Sequence, residues 1–173
     1  MPKEGPYTRV TWRGVTLNAR TRDALRWAER RWQRNNPGLS ITPVQGSYNK
    51  GGVSASGGTH DGGGAVDIRT RNLTTAQRID LVKALKDAGF AAWYRAPSSS
   101  WGPHVHAIAI EDKEMSPSAA AQVRAFDAGR DGLTGNRPDD TYRPKPKVRF
   151  SYAQGKPTTR YPDNCKKPLH RLP

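Results

Sequence analysis

The stretch THDGGGAVDI, residues 59–68, sets a histidine and an aspartate on either side of three consecutive glycines and passes from loop to apolar β-type chain within its own length. A second stretch, HVHAIAI at 104–110, has the same β-type character and opens on two histidines. Side chains at i and i+2 of a strand face the same side, so His104 and His106 share one surface, and Asp67 can reach it from a neighbouring strand. His60 approaches from the loop. The glycines at 62–64 let the chain turn back through backbone angles that other residues avoid, which brings His60 and Asp67 to one point.

Working outward, the spacing predicts an α+β fold: a small antiparallel sheet of about four strands, near 41–48, 65–69, 91–94 and 104–110, with helices at 21–35 and 74–88 packed on one face. In the first helix Thr21 is the expected N-cap, and Leu25, Ala28 and Trp32 form its apolar side. In the second, Thr74 or Thr75 is the cap, Ile79, Leu81, Val82, Leu85 and Ala88 form the buried stripe, and Gly89 ends it. Pro43 favours an edge or a bulge for the 41–48 strand. Residues 7–17 suit a short hairpin or an edge strand. SPSAAAQVRAFDAG, closing at Gly129, reads as a third helix with a Ser-Pro start.

Beyond Gly129 the composition shifts. Residues 130–173 hold eleven Lys or Arg against four Asp, with seven prolines, and contribute half of the net charge of +14. The expected organisation is one domain over 1–129, with core motifs at 40–110, and a basic, proline-rich extension over 130–173, extended and partly disordered. A charge of this sign and a pI near 10.4 suit polyanionic surroundings such as an anionic cell wall. No zinc finger, basic zipper or RNA-recognition signature is present, which argues against specific nucleic-acid binding. No run approaches the roughly 18 apolar residues of a membrane span, and the start MPKEGPYTRV lacks the apolar core of a secretion signal. Cys165 is the single cysteine, so an intramolecular disulfide is excluded.

Three of the four histidines fall in the two segments that open this section. Catalytic zinc takes three protein ligands, neutral imidazole or carboxylate, and leaves a fourth position for water. His60, Asp67 and one member of the HVH pair satisfy that, with the site on the open face of the sheet. Trp93, Tyr94 and Trp101 flank the site in sequence and read as packing residues, one of which could wall a cleft.

The pair SGGTHDGGGAVDI and WGPHVHAIAI resembles the zinc peptidases that unite lysostaphin, the D-Ala-D-Ala carboxypeptidases and dipeptidases, the penicillin-insensitive murein endopeptidases and the hedgehog signalling domain. Thr59, His60, Gly63, Ala65 and Asp67 carry the likeness to the carboxypeptidase branch, which includes small actinobacterial and phage cell-wall peptidases. The resemblance covers about residues 40–110. It implies Zn2+ as the cofactor, His60, Asp67 and His106 as its ligands, and His104 as the catalytic histidine that orients or deprotonates the metal's water or stabilises charge on the scissile carbonyl. Two departures stand out. Pro103 occupies the place of that branch's glutamate base, and Glu111 follows the strand, so it is not cast as base. The motif that carries a substrate-stabilising arginine in relatives reads GSYNK here, leaving Gln45, Ser47, Asn49, Lys50 and Trp101 as candidate substrate contacts.

The expected function is zinc-dependent hydrolysis of an amide in peptidoglycan peptides, as a D-Ala-D-Ala carboxypeptidase or a cross-bridge endopeptidase, by a monomer. Such a chain would be made in the cytoplasm and act at the bacterial wall, either as a phage lysin or as a domain of an exported protein. The alternative is a non-catalytic, zinc-stabilised module that binds cell-wall peptide or protein. A basic nucleic-acid binder with an incidental metal would leave the histidines unexplained.

Overall fold

The strand alternation read from AVDI and HVHAIA builds the centre of the molecule. In the computed structural model, which describes residues 3–160, β4 (Ala65–Arg69) lies antiparallel to β6 (His104–Ala109), with Asp67 opposite His106 and Arg69 opposite His104. On its other side β6 pairs with β5 (Phe90–Arg95), which sets Trp93 opposite His106 and Arg95 opposite His104. The short β3 (Pro43–Gln45) completes an antiparallel sheet of order β3-β4-β6-β5. Cys165 and His170 lie outside the described residues.

Period-two alternation divides the side chains of this sheet. Val66, Ile68, Phe90, Ala92, Val105 and Ala107 face the main core, where α1 (Ala19–Gln33) and α2 (Thr75–Asp87) supply Leu25, Ala28, Trp32, Leu81, Ala84 and Leu85. Each fully buried large side chain there stabilises the fold by about 1.5–3 kcal/mol. Asp67, Arg69, Trp93, Arg95, His104 and His106 belong to the opposite face. That face is not open along its length, because α3 (Pro117–Asp127) packs Ala119, Val123 and Phe126 against Ala65, Ala91, Trp93 and Ile108. What stays accessible is the end of the face where β6 begins.

Local chemistry explains where the elements depart from expectation. Asn18 rather than Thr21 caps α1: its Oδ1 accepts from the Thr21 backbone N–H at 2.8 Å, so the helix begins at Ala19. Thr74 caps α2 in a reciprocal capping box with Gln77, and Ile79 turns outward, 47% exposed, because Leu81, Ala84, Leu85 and Ala88 take the buried stripe. β3 is much shorter than 41–48, with a register shift between Pro43 and Gln45. A hairpin of β1 (Arg9–Trp12) and β2 (Val15–Asn18) covers residues expected as hairpin or edge strand.

Residues 130–160 are built into the domain, not laid loosely against it. β7 (Val148–Ser151) and β8 (Lys156–Thr159) form a hairpin, and Phe150 sits in the main core. Gly89, at φ +95°, lets that strand approach the end of α2 so closely that a Cβ there would lie 2.6 Å from the Phe150 nitrogen. Lys86 also holds this stretch through Thr141 and Tyr142, and Arg160 pairs with Asp127. Among the described residues no helix is long and apolar enough to cross a membrane.

Candidate metal centre

The loop that carries His60 is held by backbone pairing. The Tyr48 N–H donates to the Gly62 carbonyl at 2.9 Å and the Asn49 N–H to the His60 carbonyl at 2.8 Å, so the loop folds back along residues 46–49. Of the three consecutive glycines only Gly64 has a left-handed φ, +85°. Gly62 is required for a different reason: a Cβ there would collide with the carbonyl oxygen of Glu114. The sequence argument from turn angles therefore explains one glycine, and close approach of two backbones explains another.

Three imidazoles are oriented by three carbonyl-type oxygens. His60 Nδ1 lies 2.8 Å from the Gly46 carbonyl, His104 Nδ1 2.8 Å from the Gly102 carbonyl, and His106 Nε2 2.8 Å from Oε1 of Gln122. The Gln122 amide nitrogen donates to the Gly132 carbonyl at 3.3 Å, which fixes its oxygen toward His106. A carbonyl oxygen accepts and does not donate, so Nδ1 of His60 and Nδ1 of His104 donate there, while His106 meets an acceptor oxygen at each of its ring nitrogens. The other ring nitrogens all turn toward Oδ1 of Asp67: His106 Nδ1 at 2.7 Å, within hydrogen-bond distance, His60 Nε2 at 3.3 Å and His104 Nε2 at 3.8 Å.

Ring nitrogens and a carboxylate oxygen thus converge on one point, an arrangement that a cation could satisfy. A second proton on His106 is disfavoured, since burial holds its imidazole below the ordinary range. Burial acts to raise Asp67, but the imidazoles of His106 and His60 beside it outweigh that and keep its carboxyl well below the usual carboxylate range. Two imidazoles and a carboxylate are a metal's donor set. Ligating histidines, moreover, are usually held by donating their other ring N–H to an oxygen, as here. The ligand atoms of His60, Asp67 and His106 lie within 4.8 Å of one another, so this group could hold a metal ion.

His104 stands beside this group at the mouth of a cavity of about 110 Å³ that all four residues line. Trp101 also lines it, with its ring edge-on to His104 at 6.3 Å, and Gln45 borders it while hydrogen-bonding Ser56. Ser47 points elsewhere: it is buried and its hydroxyl donates to the Ala65 carbonyl at 2.8 Å, bracing the start of β4. Asn49 and Lys50 lie away from the cavity wall. Trp93 lies nearly parallel to His106, 6.4 Å between ring centres, and meets Phe126 edge-on, so it is a packing residue behind His106. Tyr94 faces the other side, under Arg78. Glu111 pairs with Arg149 and Arg160.

Two residues of the site escaped sequence reasoning. Gln122 reaches His106 from α3, and Arg95 lines the cavity from β5. Period-two spacing from Trp93 was the only signal for Arg95, and Gln122 had none. No family model, no curated protein and no solved structure matches this chain.

Proposed function

We propose that this chain is a zinc-dependent peptidase that hydrolyses an amide bond in bacterial cell-wall peptide. The observation that carries the reading is the convergence of ligand atoms of His60, His106 and Asp67 with the His104 imidazole beside them. Two imidazoles and a carboxylate suit zinc, and the motif resemblance points the same way. A bound zinc would supply a Lewis acid and a water of lowered pKa.

The chain's own residues do the rest. His60, Asp67 and His106 bind, their tautomers locked by Gly46 and Gln122. His104, with Nδ1–H donated to Gly102, keeps Nε2 free to accept a proton from the attacking water and return it to the leaving amine. Among the described residues lining the cavity there is no glutamate, so this role falls to His104. The net charge of +14 favours adhesion to an anionic wall, and wall binding should weaken as salt screens it.

Mass spectrometry of purified peptidoglycan fragments, digested with and without chelator, tests the proposal. Expected are new termini that disappear with chelator, return with zinc and are lost in His104→Ala. The absence of a carboxylate base favours a second reading, a zinc-stabilised binding module. Fragment binding without turnover would establish that reading in place of the first.

A further inference from the structure

A groove of about 520 Å³ lies beside the candidate centre, between the outer face of α2, which contributes Arg78, Ile79 and Val82, and the segment after α3, which contributes Leu133 and Tyr142. Trp93 and Tyr94 both line it. Consecutive residues of a strand point to opposite faces of the sheet, so a cavity that meets both lies along the edge of β5 and not over one face. That edge is free: β5 is the last strand of the order β3-β4-β6-β5 and pairs with β6 alone among the described residues. The outward backbone groups of 93–96 therefore face the groove with no strand beside them, and an unpaired edge is a template for an extended chain.

The side chains around this edge suit a particular kind of chain. The large apolar residues that stand exposed gather here: Ile79, Leu133 and Tyr142 line the groove, Val53 borders the metal cavity, and Val44 borders a further cavity beside Asp67 and His104. Single exposed apolar side chains are ordinary on a surface, but their concentration in one place marks a contact. Arg78 stacks on the Tyr94 ring at 3.7 Å, and neither it nor Lys83 has a carboxylate partner among the described residues. The two acids of the groove are engaged: Asp131 accepts from the Leu133 and Arg137 backbone N–H groups, and Asp139 pairs with Arg143. The groove thus combines apolar walls with unbalanced positive charge.

Arg95, Trp101 and Leu133 line both the groove and the metal cavity, so the two form one depression. At this junction Nη2 of Arg95 is buried without a hydrogen-bond partner among the described residues, a donor that a backbone carbonyl of an added chain would satisfy.

We infer that the groove holds the part of the substrate remote from the scissile amide, as an extended strand added to the free edge of β5. An apolar side chain of that strand packs against Ile79, Leu133 and Tyr142, and an acidic one meets Arg78 and Lys83. The inference rests on the peptidase reading for the identity of the peptide, and it names the substrate class as an apolar, acidic peptide that pairs over about four residues, the length of edge that the groove exposes.

The test uses the full chain and purified peptidoglycan peptide fragments. Binding is followed in the zinc-loaded His104→Ala variant, by calorimetry and by hydrogen exchange, and turnover in the natural chain. Fragment binding should slow exchange of backbone amides within 93–96, a signature of strand pairing that side-chain contact alone would not give. Ile79→Asp alters an exposed position and should raise KM about tenfold with kcat unchanged. Amidating the side-chain carboxylates of the fragments should weaken binding several-fold, and Arg78→Gln combined with Lys83→Gln should remove that difference. Binding without protection at 93–96 overturns the added strand. Hydrolysis with an unchanged KM in Ile79→Asp overturns the inference and leaves the peptidase standing. Protection at 93–96 and Ile79-sensitive binding, with no hydrolysis by the natural chain, sinks the peptidase and leaves the groove as a peptide site.

Discussion

Two polar clusters adjoin the glycine loop, and they are completed in different ways. Behind the loop, Asp112 accepts from the Asn18 amide at 2.8 Å and from the Glu114 backbone N–H at 2.9 Å, while Asn18 caps α1 and the Tyr48 hydroxyl donates to Glu114. Each donor there meets an acceptor. In front of the loop, ring nitrogens of His60 and His106 converge on Oδ1 of Asp67, and their other nitrogens are directed outward to Gly46 and Gln122. The first cluster is finished by the protein alone and serves to hold the loop. The second could be finished by a cation, so the two networks differ in what they leave for a ligand to supply.

The largest expected effect breaks the open cluster. Zinc at a thousandfold over its dissociation constant stabilises a protein that binds it only when folded by about 4 kcal/mol. For a chain of this size that is a rise in Tm on the order of 10 °C. Asp67→Ala should bind no stoichiometric zinc and show no rise in a thermal melt. An unchanged zinc shift in that variant would mean that the clusters do not differ as described.

The mirror experiment breaks the closed cluster. Asp112→Ala leaves the Asn18 amide and the Thr21 hydroxyl without their carboxylate in a buried site. Urea unfolding should show a loss of about 2–4 kcal/mol. Zinc stoichiometry should stay at one, since none of the ligands is touched; loss of zinc together with stability would show the two clusters to be one unit. A smaller effect sharpens the comparison at its boundary. Gln122→Ala removes the acceptor that fixes the His106 tautomer and should lower zinc affinity by roughly 10- to 100-fold in competition with a chromophoric chelator. Unaltered affinity would remove Gln122 from the centre.

How far the site could be read from sequence follows from the same physics. Four residues were legible because histidine is rare in this chain, and because HVH and AVDI fix faces by alternation alone. Arg95 was not, being one of 29 basic residues, and only the β5–β6 register distinguishes it. Gln122 arrives through the packing of α3 across the sheet, which no local pattern encodes. The strands and helices followed from periodicity, but the anchoring of residues 130–160 includes Phe150 meeting Gly89, a long-range contact hidden in a stretch whose composition suggests none.

Lys86 is a third kind of buried polar group, satisfied in hydrogen bonds but not in charge. Its ammonium donates to the Thr141 hydroxyl at 2.8 Å and to the Tyr142 carbonyl at 2.9 Å, tying α2 to the segment after α3. Burial pushes its pKa down from 10.5 to about 8, against the opposing pull of Asp139. Below that lower value the folded and unfolded chains both hold the proton, and the folded state carries the full cost of desolvating it. Between about 8 and 10.5 the unfolded chain keeps a proton that the folded one has released, so this group's contribution to stability rises with pH. Above that window the two states again bind equally and the cost is gone. Urea unfolding in chelator across the window should therefore show the natural protein gaining stability relative to Lys86→Met as pH increases, the smallest of these effects and one independent of the metal. A difference that stays flat, or that shrinks with pH, would mean that the two neutral acceptors compensate Lys86 as fully as a counter-ion would, and that only the open cluster leaves its charge for something else to balance.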